Sequence, residues 1–193
     1  DYQDTGQLLV YGKLSDSVNI NLLTTAVFLD PSAWYHFVLS VDTTQATAAN
    51  RFRLYINGSE VVYKTGTHYP AINYEPMLFK AYTHYISYRP DVSQYFGGYM
   101  AEFYYADGQY YGPEYFGETN EDTNQWQPTN PTTVKQAVTF GTNGFYLPFS
   151  NDALATSFVD SADKSATPTT VTTSTTEKKF GTASALCLHN NSY

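Results

Sequence analysis

A single cysteine, Cys187, stands in 193 residues, so neither an internal disulfide nor a cysteine-based metal cluster is expected. Positive charge is scarce too. Ten Lys and Arg face 18 Asp and Glu, a formal charge of −8. A surface this acidic repels phosphate backbones and anionic lipid, so nucleic acid and membrane insertion are not expected. No run of about 18 apolar residues is present, which leaves no candidate spanning helix. Long amphipathic periodicity is missing as well. Helix is expected only as one short turn within 113–122.

Aromatic residues are plentiful at 17%, with 19 Tyr. Tyr and Thr favour strands, and exposed Tyr favours adhesive surfaces. The stretch 33–62 organises the rest. Trp34, His36, Val38 and Ser40 alternate with Tyr35, Phe37, Leu39 and Val41, so a strand covered on both sides is expected. Residues 42–50 are polar and turn-rich. Phe52, Leu54 and Ile56 then alternate with polar neighbours as a half-buried strand. Asn57-Gly58 is the strongest hairpin signal in the chain, because both positions tolerate the positive φ of a type I′ turn. Trp34, Phe37, Leu39, Phe52, Leu54 and Ile56 are the expected core. Further strands are expected near 8–12, 18–28, 60–64, 77–88, 95–105 and 138–149, separated by turn residues throughout.

The segment Trp34-Tyr35-His36-x-Val38, Asp42, a polar loop and Arg51-x-x-Leu54-Tyr55-x-Asn57-Gly58 resembles the core of laminin-G/concanavalin A-like jelly rolls. The likeness is nearest to the version found in phage tail-fibre and other virion proteins. Pro31-Ser32-Ala33 before Trp34 fits it. So do Gly98-Tyr99-Met100-Ala101-Glu102-Phe103, Asp107-Gly108-Gln109, Phe116-Gly117-Glu118, Trp126-x-Pro128 and Gly141-Thr142-Asn143-Gly144-Phe145-Tyr146-Leu147-x-Phe149. The resemblance spans residues 7–150. It implies an all-β fold: an antiparallel β-sandwich of jelly-roll, concanavalin A-like type. That sandwich is incomplete at its N-terminus, because the family carries strands before a segment like 7–11. The chain is thus expected to be a segment of a longer polypeptide, with its open edge filled in trans or by adjoining chain. Residues 1–119 read as the C-terminal part of such a sandwich. Residues 120–157 read as a polar connector, pinned by Trp126, and a closing strand. Residues 158–193 read as the Thr-rich start of a further unit, with Lys179-Phe180-Gly181 entering its first strand.

What the resemblance implies for function is a non-enzymatic virion structural or adhesion module, in a tail fibre, capsid fibre or decoration protein, with glycan or host-receptor binding. Its partners would be other virion subunits, neighbouring copies or a host-surface glycan, and its location virion or extracellular. A secreted or cell-surface carbohydrate-binding adhesin is the alternative. A glycoside hydrolase is disfavoured, because the E-x-D-x-E acid set of related glucanase sandwiches is absent. Glu114, Glu118, Glu121 and Asp122 cluster in a turn-rich loop and read as solvated. His36 lacks a nucleophile and an orienting acid, and is expected to be packed and hydrogen-bonded. His68, His84 and His189 lack metal-ligand spacing. Gly97-Gly98 and Gly141-x-x-Gly144 have no Lys and no following helix, so they are not phosphate loops.

No cofactor is expected apart from calcium, for which Asp42, Asp91 and Asp107 are the candidate ligands. They lack calcium-loop spacing, and turn capping is the competing role. Sugar faces stack on aromatic rings, and polar side chains fix the hydroxyls. The candidate glycan contacts are Tyr82, Tyr85, Tyr88, Tyr95, Tyr110, Tyr111, Tyr115 and Trp126, all in or beside loops. Asn57-Gly58-Ser59 and Asn190-Asn191-Ser192 match the glycosylation pattern, but at Asn57 the turn role takes precedence.

Overall fold

A computed structural model describes residues 6–14, 17–30, 32–80, 82–91, 93–150, 159–162, 171–174 and 184–187. The described chain is mainly β, in several antiparallel sheets. Its strands are β1 (Leu9–Leu14), β2 (Ser17–Leu23), β3 (Phe37–Val41), β4 (Phe52–Ile56) and β5 (Ser59–Glu60). Then come β6 (Tyr88–Arg89), β7 (Gln94–Tyr95), β8 (Phe103–Tyr105), β9 (Gly117–Thr119) and β10 (Trp126–Pro128). The helix α1 (Pro131–Ala137) precedes β11 (Phe145–Leu147), β12 (Val171–Ser174) and β13 (Ser184–Cys187). Two compact units result. The first is Asp1–Pro76 with Tyr110–Val134; the second is Met77–Gln109 with Lys135–Tyr193.

In the first unit β3, β4 and β5 form a three-stranded sheet in that order. Asn57 and Gly58 have φ of 48° and 78°, the left-handed pair of a type I′ turn joining β4 to β5. Register sets Phe37 opposite Ile56, Leu39 opposite Leu54 and Val41 opposite Phe52, so these six share one face. On that face Phe52 packs with Ile20 and Leu22 of β2, ringed by Val10, Val41, Tyr63, Tyr69 and Tyr74. The chain beyond β5 turns to pair with β2. Thr24 bridges Tyr63, Asn21 bridges His68, and the Lys64 N–H donates to the Leu23 carbonyl at 2.8 Å. Leu22 is fully buried there, which contributes about 1.5–3 kcal/mol. Thr24 is also fully buried. Its carbonyl accepts from the Gln7 side chain at 2.6 Å, and its hydroxyl donates to the Ala26 carbonyl at 2.9 Å.

The expected core is corrected on one strand. Phe52, Leu54 and Ile56 are buried, but Phe37 and Leu39 are 48% and 39% exposed and Trp34 is 66% exposed. Among the described residues β3 is the outer strand of its sheet, so only the β4 half of the shared apolar face is covered. Trp34 precedes the strand, in irregular chain. Toward the opposite face Val38 and Ser40 are buried, and the Ser40 hydroxyl donates to the Tyr111 carbonyl.

In the second unit β8 pairs with β11, β6 with β7, and β12 with β13. Gly144 is required beside β8, because a Cβ there would overlap the Phe140 and Tyr105 carbonyls. Two expected strands are largely absent. The described residues of 77–88 give a 3-10 turn at Met77–Phe79 and irregular chain, with strand only from Tyr88. Lys80 closes that turn, its N–H donating to the Met77 carbonyl at 3.1 Å. Residues 95–105 are broken between β7 and β8, where Glu102 takes a φ of 55°. The expected strand at 138–149 is likewise reduced to β11. Helix α1 was not expected. Asn130 caps it, with Oδ1 accepting from the Thr132 N–H at 2.9 Å, and Pro131 sits where a missing N–H is harmless. Much of the Thr-rich stretch after 162, with Lys179-Phe180-Gly181 and Asn190-Asn191-Ser192, lies outside the described residues, as do 151–158.

Candidate functional site

The aromatic residues singled out for ligand contact fall into two sets, one in each unit. In the second unit Tyr88 and Tyr95 face each other across the β6–β7 hairpin. Their rings stack with centroids 4.7 Å apart and planes 24° from parallel. The edge of Tyr85 meets Tyr88 at 5.5 Å and 84°. Side chains directly opposite on antiparallel strands approach within about 5.5 Å, so the register itself builds the stack. On the same hairpin Arg89 holds Asp91 through two bonds, Nε to Oδ1 at 2.9 Å and one terminal nitrogen to Oδ2 at 3.0 Å. Asp91 is thereby occupied by a cation. Each strand is preceded by a left-handed serine, Ser87 at φ 68° before β6 and Ser93 at φ 52° before β7.

The same segment displays further rings. Tyr82 is 50% exposed, and Tyr99, next to Gly97-Gly98, is 82% exposed. Phe96 and Tyr99 are not among the rings expected from the sequence to meet a ligand, although the glycine pair between them was the available signal. Exposed aromatics with polar and charged neighbours are the elements of a sugar-binding surface.

In the first unit Trp126 stands on β10 and is tied to the β4–β5 turn. Its indole N–H donates to His36 Nδ1 at 3.0 Å. A Cβ at Gly58 or at Gly117 would overlap the indole, so both glycines are close-approach positions. The His36 backbone N–H donates to Asn57 Oδ1 at 2.8 Å, and Asn57 returns its own N–H to the His36 carbonyl at 2.9 Å. Accepting from an indole requires a lone pair on Nδ1, so His36 is neutral with its proton on Nε2. Burial agrees, holding the imidazole pKa below its usual value. His36 is a joint between turn and connector in this geometry, and its Nδ1 is committed to Trp126. Tyr111 makes edge contacts with Tyr115 at 4.8 Å and Phe116 at 6.3 Å. The Tyr110 hydroxyl lies 3.4 Å from that of Tyr55.

The calcium candidates each have a partner. Asp42 Oδ1 caps its own turn, accepting from the Thr44 N–H at 3.0 Å and hydroxyl at 2.6 Å, which lowers its pKa. Asp107 Oδ2 accepts from the Asn143 side-chain amide at 2.8 Å. Asp42 belongs to the first unit, Asp91 and Asp107 to the second. Among the described residues no three His, Cys, Asp or Glu side chains gather as a metal site.

One acid cluster went unnoticed in the sequence. Glu102 Oε2 accepts from the Tyr104 hydroxyl at 3.0 Å and from the Tyr146 hydroxyl. The two tyrosine rings stack 4.5 Å apart, 4° from parallel. Burial, followed by the Glu102 charge for Tyr104 and its hydrogen bond for Tyr146, raises both phenol pKa values. These phenols stay protonated and donate. They lock β8 to β11 through a carboxylate. The signal was the period-2 placement of Glu102 and Tyr104, hidden because the partner, Tyr146, is distant in sequence.

No protein-family model matches this chain, and no curated protein or solved structure matches it.

Proposed function

We propose that this chain is a non-enzymatic structural and adhesion module of a virion or other extracellular assembly, in a jelly-roll-type sandwich, and that it binds glycan. The observation that carries the reading is the ring set on residues 82–99. Tyr85, Tyr88 and Tyr95 form a tier, and the same segment carries the Arg89–Asp91 pair and the exposed Tyr82 and Tyr99. Ring faces take the C–H faces of sugars, and the ion pair supplies donors and acceptors to hydroxyls. The resemblance to virion jelly rolls supports the setting. The engagement of carboxylates in structural bonds supports a binding role over hydrolysis. Glu60 holds Arg53, Glu102 holds two phenols, and Asp160 accepts the Tyr146 N–H at 2.9 Å.

A glycan array probed with the full chain tests this. The expected result is binding to a restricted sugar class, lost in Tyr88→Ala and Tyr95→Ala while circular dichroism is retained. Polysaccharide cleavage abolished by changing a single acid would overturn the non-enzymatic reading. An array without hits would overturn the glycan role.

A further inference from the structure

We propose that β3 is a pairing edge whose partner is β3 of a second copy of this chain, related by a two-fold axis. This goes beyond glycan binding and does not rest on it. In an antiparallel ladder a residue's N–H and C=O point to the same side, alternating along the strand. The even residues of β3 point to β4. The Asp42 N–H donates to the Arg51 carbonyl, and the His36 carbonyl accepts from the Asn57 N–H, both at 2.9 Å. Phe37, Leu39 and Val41 therefore point their backbone groups outward. Strand β3 has β4 on one side and, among the described residues, no strand on the other.

Three devices that blunt a sheet edge are missing from β3 itself. Phe37–Val41 reads FVLSV, with no charge and no proline, and its register with β4 has no bulge. Instead the edge carries the half-exposed Phe37 and Leu39, the uncovered part of the apolar face completed by the buried Leu54 and Ile56.

The edge is complementary to itself. With Leu39 opposite its own copy on the axis, Phe37 meets Val41 of the other chain and Val41 meets Phe37. All three residues with outward-pointing groups then form hydrogen-bonded pairs. The apolar face becomes continuous across the axis, an isologous contact. Charge agrees with this register. Despite the net charge of −8, no like charges meet along the edge. The one charged residue flanking it, Asp42, comes opposite His36 of the other copy, whose Nδ1 is taken by Trp126 and whose Nε2–H remains as a donor. A strand from a different protein would need to supply both this apolar pattern and a donor opposite Asp42.

Sedimentation of the full chain over a concentration series tests the proposal. The expected species is a dimer of the 21.7 kDa chain. Leu39→Lys sets two ammonium groups against each other on the axis, and is expected to give monomer with unchanged circular dichroism. A second variant does not depend on tolerance of lysine. Leu39→Cys in a Cys187→Ser background places two thiols on paired residues about 5.5 Å apart between Cα atoms, within disulfide range. It is expected to cross-link on oxidation, whereas Ile72→Cys, exposed and off the edge, is not. A chain that stays monomeric at every concentration overturns the proposal. So does a dimer untouched by Leu39→Lys whose Leu39→Cys variant fails to cross-link, or growth into open-ended oligomers. Capture of a foreign extended peptide by a monomeric chain overturns self-pairing.

Discussion

Residues 37–41 and 77–88 read alike as apolar alternations, yet only the first becomes a full strand. In the first unit FVLSV meets FRLYI in five consecutive register pairs, and the next strand is delivered by Asn57-Gly58. Arg51 also ties down the loop between them, donating to the carbonyls of Gln45, Ala46 and Pro70 at 2.7–2.9 Å. In the second unit MLFKAYTHYISY finds, among its described residues, a strand partner only at the last, and its rings stay near the surface. Alternation alone therefore does not make a strand. A partner with matching alternation and a turn that fixes register are also needed. Where they are missing, aromatic residues remain available for binding.

The sharpest way to break this contrast is to truncate an aromatic residue of each kind within the first unit. Phe52→Ala is expected to cost about 3–5 kcal/mol in urea denaturation, because Phe52 lies under β2. Trp34→Ala is expected to change stability by no more than about 0.5 kcal/mol, since that ring is largely solvated. Equal losses would mean that Trp34 is not solvated as described.

A smaller effect separates turn strain from contact. Gly58→Ala is expected to cost about 1–3 kcal/mol and to shift Trp126 fluorescence, since it meets a left-handed φ and the indole together. Gly66→Ala meets a left-handed φ of 84° in open space, so it should cost less and leave the emission unchanged.

Acid should loosen the first unit through His36. Its folded pKa lies below the ordinary value near 6.5, so the unfolded chain binds the proton more readily. This contribution is complete above pH 6.5 and is lost as pH falls through the folded value. Melting temperature followed from about pH 8 to 5 should drop more steeply in the parent than in His36→Gln, and a parallel fall would contradict the role. Tyr88→Ala is expected to separate binding from stability. It should shift the melt by less than about 1 kcal/mol while removing glycan binding, since Tyr88 supports a hairpin of two-residue strands.

Much of the first unit was legible. The Asn57-Gly58 turn, the buried set of β4 and the tethering role of Trp126 follow from local chemistry. What was not legible depended on neighbours. Burial of Phe37 and Leu39 hinges on what lies beyond β3, which alternation does not encode. The Glu102–Tyr104–Tyr146 lock joins residues 44 apart in sequence. Helix α1 did carry a local signal, Asn130-Pro131, but it was masked by polar, Thr-rich surroundings. Of the candidate ring residues, Tyr85, Tyr88 and Tyr95 come together through a register that two-residue strands barely announce.

The central claim is that the first unit supplies the ordered hairpin while the tyrosines of 82–99 meet the ligand. Two-dimensional NMR of the full chain, titrated with the glycan class selected on the array, tests it most directly. The expected result is saturable shifts confined to Tyr85, Tyr88, Tyr95 and their neighbours, with Phe52, Leu54 and Ile56 unmoved. Shifts centred on His36 and Trp126, or none with any glycan, would contradict it.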